Sequence, residues 1–261
     1  MNSILQKIVD HKLVEIEQLK ASISREDLES QVKDAPPVRS FRDALAGEGI
    51  SLIAEVKKQS PSKGLIREDF DPVSIAHSYQ AGGAHCVSVL TDEHFFGGSL
   101  DYLVQIKRAI DLPVLRKDFV LDEHQVLQAR AAGADAVLLI AECLSPDRLK
   151  QLYDQVVSLG MTALVELYEA ENIEAVLNCN PVLVGINNRD LKTFEVDLQH
   201  TVRMRSRVPE EILLVGESGI FTHQEATLLQ RSGVDAMLVG ESLMRADDPA
   251  EAVRQLLGTS A

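Results

Sequence analysis

The sequence predicts an α/β protein, a (β/α)8 TIM barrel with an N-terminal helical extension. Three observations carry that expectation. From Ser51 onward, short apolar runs of strand length alternate eight times with helix-like segments. The stretches AGGAHCVSVL (81–90), AAGADAVLLI (131–140) and RSGVDAMLVG (231–240) share one layout: a glycine able to end a helix, a polar residue, then a buried strand. Their glycines, Gly83, Gly133 and Gly233, stand 50 and then 100 residues apart, so about 25 residues form each βα unit, as a barrel repeat needs. The 261 residues also match the about 250 of a typical barrel. A doubly wound open sheet, the competing architecture, calls for a G-x-G-x-x-G fingerprint after its first strand, and that fingerprint is absent.

Residues 1–50 read as helices packed on the barrel rather than as a separate domain, so 1–261 forms a single (β/α)8 domain. Ile4, Ile8, Ile16, Leu19 and Ile23, with Leu5, Val9 and Leu13 beside them, follow helical spacing. Ser24 can cap a second helix that stops before Asp34-Ala35-Pro36-Pro37, and Ser40 starts a third that ends near Gly47. Strands are then expected at 51–57, 86–90, 114–117, 136–140, 162–166, 182–186, 212–215 and 236–239. The helices between and after them fall at 71–83, 99–110, 122–132, 145–160, 169–177, 197–206, 222–231 and 249–257. Asp71-Pro72 and Ser145-Pro146 are cap-plus-proline openings.

Hydrophobic content is 45%, without the run of about 20 apolar residues that a membrane span requires. The charged N-terminus lacks a signal-peptide core. Cys86, Cys143 and Cys179 lie far apart, without metal-ligand spacing; they read as small hydrophobes in a reducing cytoplasm. A net charge of −14 argues against nucleic acid or an anionic membrane as partner. A small-molecule phosphorylated substrate is expected instead, drawn to basic groups concentrated at one mouth.

In such barrels the active site lies at the C-terminal ends of the strands. Those ends carry Glu55 and Lys57, Arg116-Lys117-Asp118, Glu142, Glu166, Asn187-Asn188-Arg189, Glu217-Ser218-Gly219 and Gly240-Glu241-Ser242. Glu55 and Lys57 share a strand face with Ile53, and buried charges there must be paired or functional. Lys57, Lys117 and Arg189 would concentrate positive potential. Gly219, Gly240 and Ser242, after the seventh and eighth strands, suit backbone cradling of phosphate. Ser60 offers a hydroxyl from the loop after the first strand. Glu217 and Glu241 cannot touch a phosphate and should point elsewhere.

IAEVKKQSPSKG, LRKDF, ALVEL, VGINNRDL, VGESGI and LVGESLM resemble, in order and position, the motifs of the indole-3-glycerol-phosphate synthase family, and the resemblance covers the whole chain. It implies a lyase of tryptophan biosynthesis that needs neither metal nor organic cofactor. The implied reaction closes the indole ring of 1-(2-carboxyphenylamino)-1-deoxyribulose 5-phosphate with loss of carbon dioxide and water. By the same resemblance Lys117 matches the general acid at the substrate carbonyl, and Glu166 a carboxylate that assists later proton transfers. Lys57 matches a lysine near the substrate carboxylate. Glu55, Asn187, Arg189, Glu217 and Ser218 match residues that orient substrate or catalytic groups, and Phe96 an aromatic of the anthranilate pocket. Which of Lys57, Lys117 and Glu166 serves dehydration stays open. So do two other functions, a Schiff-base aldolase and a barrel that only binds a phosphorylated metabolite. A monomer is expected, with association with other tryptophan-pathway enzymes left open.

Overall fold

In the computed structural model, which describes residues 4–190 and 193–259, eight parallel strands close on themselves. Three helices precede them: α1 (Ile4–Ser22), α2 (Arg25–Asp34) and α3 (Phe41–Leu45). The Ser24 and Ser40 hydroxyls cap α2 and α3 as expected, accepting from the backbone N–H groups of Asp27 and Asp43. The chain continues through β1 (Ser51–Val56), a hairpin of β2 (Gln59–Ser60) and β3 (Gly64–Leu65), α4 (Pro72–Gly82) and β4 (Cys86–Leu90). Next come α5 (Glu93–Phe96), α6 (Leu100–Ala109), β5 (Val114–Lys117), α7 (Glu123–Ala131), β6 (Ala136–Ile140) and α8 (Pro146–Ser158). Then follow β7 (Thr162–Leu167), α9 (Ile173–Leu177), β8 (Leu183–Asn187) and α10 (Gln199–Met204). The last elements are β9 (Leu213–Glu217), α11 (His223–Arg231), β10 (Ala236–Val239), α12 (Glu241–Met244) and α13 (Pro249–Leu257). Around the barrel the order is β1, β10, β9, β8, β7, β6, β5, β4, back to β1.

The hairpin and the two four-residue helices α5 and α12 were not expected from the sequence. Each is too short to show a hydrophobic period. α5 is held by its caps instead: the Asp92 carboxylate accepts from Phe95 N and Phe96 N, and Gly97 closes it at φ 60°.

Strand alternation sorts the apolar core into two parts. Leu52, Ala54, Val56, Val87, Val89, Val137, Leu139, Val165 and Val184 face the helices. Ile53, Leu115, Leu138, Ile140, Leu164, Leu183, Val215 and Leu238 fill the interior, with Phe41 and Leu45 of α3 in the same cluster. The Ser51 hydroxyl donates to the Leu45 carbonyl, so α3 plugs the end of the barrel where the strands begin. At the other end Ile8 of α1 and Phe119 join the interior cluster.

The polar residue of the internal repeat has a shared task. His85 Nδ1 accepts from Leu52 N at 3.1 Å, Asp135 Oδ2 from Val114 N at 2.8 Å, and Asp235 Oδ2 from Leu214 N at 2.7 Å. Each satisfies a backbone N–H near the start of the adjacent strand. The preceding Gly83, Gly133 and Gly233 all adopt positive φ, which lets helix and strand join tightly. Among the described residues no helix is long and apolar enough to cross a membrane.

Candidate active site

The inward face of β1 runs Ser51, Ile53, Glu55 and then Lys57 just past the strand. Lys57 Nζ lies 2.5 Å from Glu55 Oε1, and Glu55 is 3% exposed. Burial alone would push the Glu55 carboxyl up; Lys57, Lys117 and Arg189 outweigh it and hold the carboxyl below its ordinary range. Gly240 makes room for this pair, because a Cβ there would overlap Glu55 Oε1.

Lys117 ends β5 and points to the same interior. Its Nζ sits 3.3 Å from Glu166 Oε2 and 3.3 Å from Glu217 Oε2. Burial works against the ammonium, but Glu166, Glu217 and Glu55 together raise it above the ordinary lysine range, so Lys117 rests protonated. Glu217 behaves oppositely: burial and the nearby Glu166 carboxylate push its carboxyl well above the usual value, with Lys117 only partly offsetting them. Asn187 Nδ2 donates to Glu166 Oε1 at 3.1 Å and fixes its rotamer. Gly185 of β8 leaves the space that Glu217 occupies, since a Cβ there would strike its carboxylate.

The rim is built from loops. Ser218 and Gly219 both take left-handed backbone, φ 67° and 76°; this is strained for serine and natural for glycine. Ser242 Oγ donates to Ile220 O at 3.1 Å, tying the loops after β9 and β10 together. Arg189 Nη1 donates to Phe194 O at 3.3 Å, and its Nη2 is 3.9 Å from Glu241 Oε2. Glu217 and Glu241 both meet cations, Glu217 the Lys117 ammonium and Glu241 the Arg189 guanidinium.

All thirteen residues singled out above line one cavity: Glu55, Lys57, Ser60, Phe96, Lys117, Glu166, Asn187, Arg189, Glu217, Ser218, Gly219, Gly240 and Ser242. It encloses about 150 Å³ of water-accessible space. Asp118 and Glu241 line it as well, whereas Arg116, Glu142 and Asn188 do not. Arg116 turns outward to the Gln125 carbonyl. Glu142 Oε1 accepts from Tyr168 N and Glu169 N, and Asn188 Oδ1 accepts from Thr201 N. The expected positive mouth is also balanced in charge: Lys57, Lys117 and Arg189 each meet a carboxylate from Glu55, Glu166, Glu217 or Glu241. Leu191, which closes the VGINNRDL motif, lies outside the described residues.

The apolar half of the cavity escaped sequence reasoning. Ile4, Leu5 and Ile8 of α1, with Phe119, Leu138, Ile140 and Phe194, complete its wall. Phe96 and Phe119 pair there, ring centroids 6.1 Å apart. Helical spacing shows that Ile4 and Ile8 share a face but not what covers it. For Leu138 and Ile140 the signal existed, since two-residue alternation puts both on the inward side of β6. Among the described residues no cluster of His, Cys, Asp or Glu is arranged to hold a metal ion.

The chain resembles known proteins along nearly all its length. A crystal structure of 3-hexulose-6-phosphate synthase from Salmonella typhimurium superposes with a TM-score of 0.66 over 80% of this chain and 97% of that one. At 12% identity that likeness shows the barrel fold alone. A protein of Rhodopirellula baltica named indole-3-glycerol phosphate synthase is 55% identical over 257 residues, 97% of this chain and 99% of its own. The family model described as Indole-3-glycerol phosphate synthase matches residues 5–256, and the chain belongs to that family.

Proposed function

We propose that this carboxy-lyase closes the indole ring of 1-(2-carboxyphenylamino)-1-deoxyribulose 5-phosphate, with Lys117 as the proton donor to the substrate carbonyl. The observation that carries this reading is the Lys117 ammonium, held charged between Glu166 and Glu217 beneath an aromatic wall. Attack by the ring carbon that bears the carboxylate puts negative charge on the carbonyl oxygen. An ammonium fixed there stabilises that charge and supplies the proton. Loss of carbon dioxide then restores the aromatic ring, and the new hydroxyl leaves as water. That second stage needs an acid at oxygen and a base for the departing proton; Glu166, oriented by Asn187, is suited to be the base.

Lys57, anchored by Glu55, is assigned to the substrate carboxylate. The phosphate is assigned to the loops at 218–219 and 240–242. There Gly219 and the first turn of α12 offer backbone N–H groups that lack intrahelical partners. Backbone cradling suits a mouth whose cations are already paired. A Schiff base at Lys117 would need a neutral amine, and three carboxylates oppose that form. The same proposal carries a cytoplasmic location, supported by three unpaired cysteines.

The test is direct. Addition of the carboxyphenylamino sugar phosphate should produce indole absorbance with release of carbon dioxide. Tight binding of the sugar phosphate without indole would instead identify a binding module.

A further inference from the structure

Between α1 and the barrel lies a lysine the reaction does not touch. Lys12 is 3% exposed, and its Nζ is 2.6 Å from Glu15 Oε2, 2.8 Å from Asp92 Oδ2 and 3.0 Å from Asp118 Oδ1. Both aspartates are buried, and each holds one loop of the cavity. Asp118 directly follows Lys117; its Oδ1 also accepts from Phe119 N at 2.8 Å, and its Oδ2 takes Thr91 Oγ1 at 2.6 Å and Arg116 Nη2 at 3.0 Å. Thr91 N in turn donates to the Lys117 carbonyl at 3.1 Å. Asp92 caps α5 and fixes the N–H groups of Phe95 and Phe96. One ammonium therefore ties Asp118, the residue after Lys117 at the end of β5, to Asp92, the cap of the helix α5 that carries Phe96.

We propose that Lys12 is a positioning residue for ring closure: its ammonium, delivered by the N-terminal helix, sets Lys117 against the carbonyl and Phe96 against the aromatic ring. This rests on the function proposed above. Burial opposes the charge on Lys12, but Asp118 and Asp92 overcome that and keep it protonated. Among the described residues Lys12 is the only cation paired with Asp92. Removing it leaves two buried carboxylates close together with Arg116 alone to balance them, and both loops must shift apart. A buried ion network of this kind is seldom the most stable filling of a core, so fixed geometry is the gain that accounts for it.

A cleft of about 330 Å³, lined by Lys12 together with His11, Thr91, Arg116 and Asp118, makes the proposal testable by chemical rescue. Lys12→Ala should lower kcat/KM by about 10²-fold, the cost of misplacing reacting groups by about 1 Å, with kcat falling and KM rising together. Propylammonium, the fragment this substitution removes, should restore a measurable, saturable part of that loss; 1-propanol, of similar volume without charge, should not. Lys12→Met fills the volume without the charge and should lose as much, with no response to the amine. It decides alone if Lys12→Ala does not fold. Wild-type kinetics in Lys12→Met, or a folded and impaired Lys12→Ala that propylammonium leaves unchanged, would overturn the proposal. Wild type and Lys117→Met assayed beside them test the underlying reaction: if wild type forms no indole, both readings fall, whereas failure of the Lys12 variants alone leaves the reaction standing.

Discussion

Replacing Lys117 with methionine removes the ammonium and leaves an unbranched side chain one atom shorter. A positioned proton donor is worth about 10²–10⁴-fold, and a preorganised charge on a developing oxyanion about 10²–10³-fold. Both act through one nitrogen, so they do not multiply in full. The expected fall in kcat is about 10⁴-fold or more, which is about 5 kcal/mol of barrier. KM should move far less, because the phosphate loops and the Phe96–Phe119 wall remain. Stability changes too. Glu166 and Glu217, 2% and 1% exposed, lose the cation they share, and breaking a buried pair costs about 3–5 kcal/mol. The assay is initial-rate indole formation, with circular dichroism to confirm that the variant is folded at the assay temperature. A folded Lys117→Met with kcat within about tenfold of wild type would fall below the range for a general acid and refute the assignment.

Two further outcomes follow from the same geometry. Lys57→Met should be severe and Lys58→Met mild in the indole assay, because only Lys57 shares the inward face with Glu55 and lines the cavity; equal damage would mean the face of β1 is misassigned. Burial opposes ionisation of Asp118, but Arg116 and Lys12 hold its carboxyl below the ordinary 3.8. Its stabilisation is therefore complete above about pH 4 and is lost as pH falls through the lower folded value. The gap between wild type and Asp118→Asn in urea unfolding should narrow only on acidification, and narrowing toward alkaline pH would contradict this.

Much of the barrel was legible because it depends on local rules. The repeat around Gly83, Gly133 and Gly233 reported helix ends and strand starts, and its polar residue now has a task that backbone geometry explains. Alternation placed Glu55 beside Lys57, and the same alternation sends Arg116 outward next to the inward Lys117. What stayed hidden depends on contacts distant in sequence. Nothing in Ile4, Leu5 and Ile8 announces that they roof the cavity, and nothing in Lys12 announces that Asp92 and Asp118 surround it. Gly240 is the instructive case. Read from sequence it lets backbone approach a phosphate, so Gly240→Val would act on KM. In the structure an added Cβ meets the Glu55 carboxylate, so the substitution disturbs the Glu55–Lys57 pair and must lower kcat as well.

Whether Lys117 gives a proton or bonds carbon is decided most directly by reduction during turnover. Borohydride added to enzyme and substrate, followed by mass spectrometry of the peptide containing Lys117, should find that peptide unmodified, because a proton donor forms no imine to trap. Gain of the substrate's mass on Lys117 would establish a Schiff base and contradict its role as the acid of ring closure.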